Sequence, residues 1–220
     1  MQGLPGVSVI TGWALTAGDI LGYGADTVIL ATGSRWSADG TQPGVAGVIA
    51  EGLLTPEAIM AGARPRGRRV VVYDADGYFV GPGIAELLAA EGRDVTLATP
   101  FPVVSPLSDH TLEGSMLRRH LHRAGIVQRP GVTVLDFDGT RARGTDAFGS
   151  EVGIPADDVV LVTHEVATDD LADALAGADL HVIGDAASPG PVSEAVFDGH
   201  RLARALDAPA AVLLRERLAQ

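Results

Sequence analysis

Two short apolar runs far apart in the chain share one form. Thr27 to Leu30 is continuously apolar and β-branched at three of four positions, the pattern of a strand covered on both faces of a parallel sheet. Leu180 to Ala186, read L-H-V-I-G-D-A, has the same character. Between them the pattern predicts a βαβ unit: a strand at Val70–Tyr73, a helix at Gly81–Gly92 with Ile84, Leu87 and Leu88 on one face, and a strand at Val95–Ala98. Leu112 to Leu121 reads as a helix and Gly131 to Asp138 as a strand. Thr55-Pro56-Glu57 is a helix start, with threonine as cap and proline in first place. Asp158 to Thr163 (D-V-V-L-V-T) echoes Asp26 to Thr32 (D-T-V-I-L-A-T), an internal repeat that frames an inserted unit from about 67 to 163. Upstream, Val7–Ile10 and Trp13–Thr16 read as short strands, so the chain begins partway through a β-meander.

Both outer runs end in small residues. Ala31, Thr32, Gly33 and Ser34 follow the first, and Gly184, Asp185 and Ala186 close the second. Glycine allows a sugar or phosphate to lie against bare backbone, and a carboxylate just past a strand accepts hydrogen bonds from ribose or ribityl hydroxyls. These seven residues form one candidate ligand site. A helix is predicted from about Val192, capped by Ser188 or by the glycine and proline around it, its amides aimed at whatever Asp185 holds. Trp36 reads as core, interface or a stacking platform.

The turn of the central βαβ unit has lost its phosphate fingerprint. Where G-x-G-x-x-G would place backbone amides against a pyrophosphate, this chain has D-A-D-G-Y-F-V-G, with Asp74 and Asp76 at or near the first two glycine positions. Two unit charges about 4 Å apart repel by on the order of 1 kcal/mol in water and several times that near a protein surface. The strand after the helix ends in L-A-T-P, with no acid for a ribose and no arginine for a 2′-phosphate. NAD or NADP is therefore not expected here. The repeat strand ends in His164-Glu165 in place of glycine, which again disfavours a ligand in the inserted unit. Of His110, His120 and His122, the last two stand two apart and share no helix face, and no carboxylate cluster completes a metal site. No catalytic constellation is visible.

The A-T-G strand end, the distant G-D-A strand end and the unit between them resemble the two-dinucleotide-binding-domain flavoproteins. V-I-L-A-T-G-S-R-W, L-T-P-E-A-I-M and V-V-V-Y-D-A-D-G-Y-F-V-G-P-G-I-A-E resemble the C-terminal part of trimethylamine and dimethylamine dehydrogenases, in the Old-Yellow-Enzyme-related group that includes 2,4-dienoyl-CoA reductase. The resemblance implies an α/β fold of two Rossmann-like three-layer units, the first incomplete and lacking its N-terminal βαβ. Residues 1–66 and 164–220 would form a partial FAD- or ADP-binding domain, with 67–163 an inserted, degenerate NAD-like domain. It implies the small subunit of a heteromeric flavin-dependent oxidoreductase, amine dehydrogenase- or N-demethylase-like. The expected partner is a larger barrel subunit with FMN and a 4Fe-4S cluster, which supplies the missing G-x-G-x-x-G unit; an electron-transfer flavoprotein is a further partner. Met1 with its short leader resembles a true translation start, in keeping with a separate subunit. A non-catalytic scaffold or electron-carrier docking subunit is the alternative from another class, and an enoate or dienoyl reductase subunit is a third.

Composition narrows the picture. The 220 residues, 46% hydrophobic, suffice to bury roughly 70% of the unfolded surface. A formal net charge of −12 argues against nucleic-acid and anionic-membrane partners. Arg64 to Arg69, with four arginines in six residues, reads as a solvated face. With no cysteine among these residues, any thiolate-held cluster sits elsewhere. The absence of a long apolar stretch makes a cytoplasmic protein the expectation.

Overall fold

The computed structural model describes residues 4–42, 44–47, 49–50 and 52–206. The opening Met1 and its neighbours, on which the translation-start expectation rests, lie outside them. The chain divides into two compact units, residues 35–166 and the flanking segments on either side.

The inserted unit is built around β3 (Arg69–Asp74), which runs parallel to β4 (Asp94–Ala98) on one side and to β9 (Asp158–Val162) on the other. β5 (Val127–Arg129) joins beyond β4, giving the order β5-β4-β3-β9, all parallel. The reason for the unbroken apolar runs is visible in the packing. Val70 and Val72 pack with Ile84 and Leu88 of α3 (Val80–Ala90), whereas Val71 and Tyr73 pack with Val134, Ala142 and Ile154. Those last residues belong to an antiparallel meander of β6 (Val132–Phe137), β7 (Arg141–Asp146) and β8 (Glu151–Pro155). Both faces are covered, so no period-2 alternation is left to see. β6 and β7 approach so closely that a Cβ on Gly144 would sit 1.8 Å from the Thr133 carbonyl oxygen.

Elements around this sheet follow their sequence signals. Thr55 caps α2 (Pro56–Met60), its hydroxyl accepting from the Ala58 amide. α4 (Gly114–Arg123) starts two residues later than its apolar pattern, because Leu112 adopts the left-handed conformation (φ 64°). The arginine cluster is exposed but paired: Arg64 with Glu91, Arg68 with Asp94 and Arg69 with Asp157. Trp36 packs against the Ile59–Ile84–Leu88 cluster and its amide donates to Glu57 (2.7 Å), a core role. His120 pairs with Glu86.

The other unit is built differently from expectation in two places. Val7–Ile10 and Trp13–Thr16 form no strands; instead Thr16 and Asp19 make a reciprocal capping box that starts α1 (Ala17–Tyr23). Gly24 ends this helix in the left-handed conformation (φ 73°). The T-x-x-D cap outweighs the apolar run before it, which has no strand to pair with among the described residues. Second, β1 (Val28–Leu30) is not covered on both faces. Among the described residues it pairs only with β11 (Leu180–Val182), in parallel, and Ile29 is 44% exposed. A two-stranded ribbon formed by β2 (Ser34–Trp36) and β10 (Glu165–Ala167) completes the sheets. α5 (Val192–Leu206) follows β11.

Within the inserted unit the buried Tyr73 hydroxyl donates to Gln42 Oε1 (2.6 Å), while Gln42 Nε2 donates to the Val134 carbonyl (2.9 Å). Tyr73→Phe leaves a buried amide oxygen without its donor. The expected cost is roughly 1–3 kcal/mol in urea unfolding, with an unchanged far-ultraviolet circular dichroism spectrum.

Candidate functional site

β1 and β11 bring the two small-residue strand ends together. Their register pairs Leu30 with Val182, and the Ile183 amide donates to the Leu30 carbonyl (2.9 Å). Ala31–Gly33 and Gly184–Asp185 therefore leave the same end of one parallel pair. Asp179 fixes the opposite end: its backbone carbonyl accepts from the Val28 amide and its carboxylate from the Thr27 hydroxyl (2.9 Å).

Each predicted residue takes a definite place. Ala31 and Thr32 are exposed, Gly33, Ser34, Gly184 and Asp185 half-buried, and Ala186 buried. Gly33 has φ 77° with open space where a side chain would be, and its carbonyl accepts from the Thr168 amide (2.9 Å). The Thr32 hydroxyl donates to the Thr168 carbonyl, so it retains only lone pairs for a ligand. Gly184 starts a short 3₁₀ turn, Gly184–Ala186, at φ 61°. Asp185 Oδ1 accepts from the Gly190 amide (3.2 Å), and Oδ2 takes no protein donor among the described residues. The bare backbone at Gly33 and the spare carboxylate oxygen at Asp185 fit a hydroxylated, nucleotide-type ligand.

The helix after the site is partly committed to the chain itself. Ser188 lies three residues before Pro191, the residue that precedes α5, and does not cap it. The Glu194 amide donates to the Pro191 carbonyl, and the Gly190 amide is used by Asp185. Sequence reasoning missed Asp198, whose Oδ2 accepts from the Gly184 amide (3.2 Å) and so holds the turn from α5. Fourteen residues separate that pair, and no local spacing announces it.

The degenerate turn of the inserted unit has a geometry the sequence did not suggest. Asp74 is not an exposed charge but wholly buried, its Oδ1 accepting from the amides of Asp76 (3.1 Å) and Gly77 (2.8 Å). Burial pushes its carboxyl up to about 7, and the charge of neighbouring Asp76 adds to the shift; Asp76 is itself raised by burial. Simple repulsion by two exposed charges is thus replaced by a buried carboxyl whose protonated form burial favours.

The comparisons with known proteins agree with this architecture, an α/β fold with a parallel sheet. Residues 54–149 match the OYE-like second alpha/beta domain. The chain is 32% identical to dimethylamine dehydrogenase of Hyphomicrobium sp. (strain x) over 88% of its own length and 31% of that enzyme's. The structure of histamine dehydrogenase from Rhizobium sp. 4-9 superposes with a TM-score of 0.84 at 33% identity, covering 90% of this chain and 33% of that one. The 6-hydroxypseudooxynicotine amine oxidase of Pseudomonas geniculata N1 gives 0.85 at 32% identity, covering 90% and 31%. Residues 54–149 thus carry the OYE-like second alpha/beta domain, and the chain is homologous to the dimethylamine and histamine dehydrogenases, Old-Yellow-Enzyme-related flavoproteins, of whose length it spans about a third.

Asp74 gives the inserted unit a pH dependence of known sign. Its folded value lies above the unfolded one, so its contribution is fully present below about pH 4 and is lost as pH rises through about 7. Asp138 and Asp157, held at about 2 by hydrogen bonds from Thr140 and Arg69, act below that window. Urea midpoints are expected to fall between pH 5 and pH 8, by an amount equivalent to at most roughly 4 kcal/mol. Asp74→Asn is expected to flatten that fall.

Proposed function

We propose that this chain is the small subunit of a heteromeric flavin-dependent amine oxidoreductase, in which it completes an FAD or ADP site together with a partner chain. The observation that carries the reading is the paired strand end, where Gly33 offers bare backbone and Asp185 a spare carboxylate oxygen on neighbouring strands. In this reading the flanking segments are the incomplete first Rossmann-like unit and the inserted unit is the second.

The open side of β1 supports the partner. The Val28 amide and Leu30 carbonyl bond toward β11, so by parallel-ladder alternation the amide and carbonyl of Ile29 face the other edge, where no strand pairs among the described residues. Trp13, Leu21, Tyr23 and Ile29 of the same unit are exposed. An apolar open edge in water is a hazard that a further strand removes. The partner supplies that strand with a glycine-rich phosphate turn, and it carries the flavin barrel with FMN and the 4Fe-4S cluster. The names of the three relatives share an amine substrate, which favours amine over enoate as the substrate class.

In this assembly the partner's FMN would supply the redox chemistry, and this chain's residues would bind and orient the dinucleotide. Asp185 Oδ2 accepts from a sugar hydroxyl, and Gly33 and Ala31 keep side chains out of the ligand's path. Asp198 holds the Gly184 amide so that Asp185 stays aimed past the strand end.

Two measurements test the reading. Purification with the native neighbouring gene products is expected to yield a stoichiometric second polypeptide with flavin absorbance that bleaches on adding a secondary or primary amine. A partner without bleaching by amines leaves the scaffold, and a colourless monomer with no partner rejects both. Asp185→Ala is expected to weaken retention of FAD or ADP by the complex by roughly 10- to 100-fold, the worth of one charge-assisted hydrogen bond. Among the described residues the Asp185 carboxylate takes one intrachain hydrogen bond, from the Gly190 amide (3.2 Å), so the fold is expected to survive.

A further inference from the structure

Among the described residues two buried side-chain oxygens have no hydrogen-bond partner, Asp74 Oδ2 and Thr163 Oγ1. Asp74 pairs in register with Val162, the last residue of β9, and Thr163 follows it. Asp74 is the one that stands at a recognisable place. It ends β3 and turns its carboxyl toward Gly81 in the first turn of α3, so closely that a Cβ on Gly81 would lie 2.6 Å from Cγ and 2.7 Å from Oδ2. No side chain caps that helix, with Phe79 in the capping position. The other oxygen, Oδ1, collects the amides of Asp76 and Gly77.

In a nucleotide-binding turn a phosphate of the ligand lies against the turn amides at the start of the helix, and a further glycine lets that helix pack close to the strand. Here the turn amides, the helix start and the close-packed Gly81 are all present, and the chain's own side chain lies among them. We infer that the Asp74 carboxyl is a built-in occupant of the phosphate position, so that the β3–α3 turn is a cradle closed by its own chain, and that the emptied cradle takes a small carboxylate such as acetate.

The chemistry matches a carboxyl group. One oxygen receives two amide donors, as a phosphate oxygen would. The second oxygen presses on Gly81, a contact that no residue larger than glycine permits at that position. The inserted unit therefore holds its turn without any nucleotide. A dinucleotide finds its anchoring position filled, whatever the charge on Asp74.

The full chain, with its partner where one co-purifies, serves for the test. Asp74→Gly empties the cradle. In 200 mM sodium acetate at pH 6, against sodium chloride at equal ionic strength, its thermal midpoint is expected to rise by several degrees while the parent's is unmoved. Asp74→Asn keeps the cradle filled and is expected to fold and to ignore acetate. An acetate response equal in parent and Asp74→Gly, or none in a folded Asp74→Gly protein, overturns the assignment. The parent protein also tests it without any variant. If inorganic pyrophosphate at millimolar concentration raises the parent's midpoint, and Asp74→Gly responds no more strongly, the position is open and the inference is wrong.

Discussion

The architecture of the inserted unit depends on one constraint, that a strand bonded on both edges and covered on both faces must still satisfy its polar groups where it stops. β3 meets that constraint at Asp74. The amides of Ala75 and Asp76 reach across to the Val162 carbonyl, and the Asp74 carboxyl gathers the amides of Asp76 and Gly77. From there the chain enters α3 without a capping side chain. The glycine at 81 is fixed by the same carboxyl, because any Cβ would collide with it. Strand end, turn and helix start are thus one interlocked group, and the loop around Leu107, which bonds to the Gly77 carbonyl, is seated on it.

The flanking unit rests on a weaker version of the same geometry. Its parallel pair has three residues a side and, among the described residues, one neighbour per strand. Side chains from far along the chain compensate: Asp179 ties the start of β1, and Asp198 ties the start of the Gly184 turn. What the candidate site has in place is its carboxylate and its bare glycine; what it lacks within the described residues is a second edge to β1.

Much of this was legible in the sequence. The β3–α3–β4 unit and β9 could be read because burial on both faces writes itself as unbroken Val, Ile and Leu, and the small residues after β1 and β11 marked the ends that the register brings side by side. Other features were not local enough to read. The capping box at Thr16 and Asp19 was overlooked because the apolar residues before it look like strands when no pairing partner is considered. Asp198 and Asp179 act across sequence gaps that carry no period. The burial of Asp74 is not legible because sequence alone does not tell an exposed carboxylate from a buried carboxyl. Gly81, seven residues on, was the available signal, since a glycine inside a helix asks what lies against it.

The way the chain ends are held has a consequence for the order in which the protein folds. Inside the inserted unit the Ser37 amide donates to the His164 carbonyl (2.8 Å), and inside the flanking unit the Thr168 amide donates to the Gly33 carbonyl (2.9 Å). β1 and β11 are partners separated by about 150 residues, and closing a flexible loop of that length costs about 4 kcal/mol of chain entropy by the logarithmic rule. Once residues 35–166 have folded, positions 37 and 164 are already neighbours, and what remains to close is the chain on either side, residues 31–36 and 165–179. The inserted unit then acts as an entropic clasp: a three-residue ribbon too small to pay for a long closure forms because another domain has already brought its strands within reach.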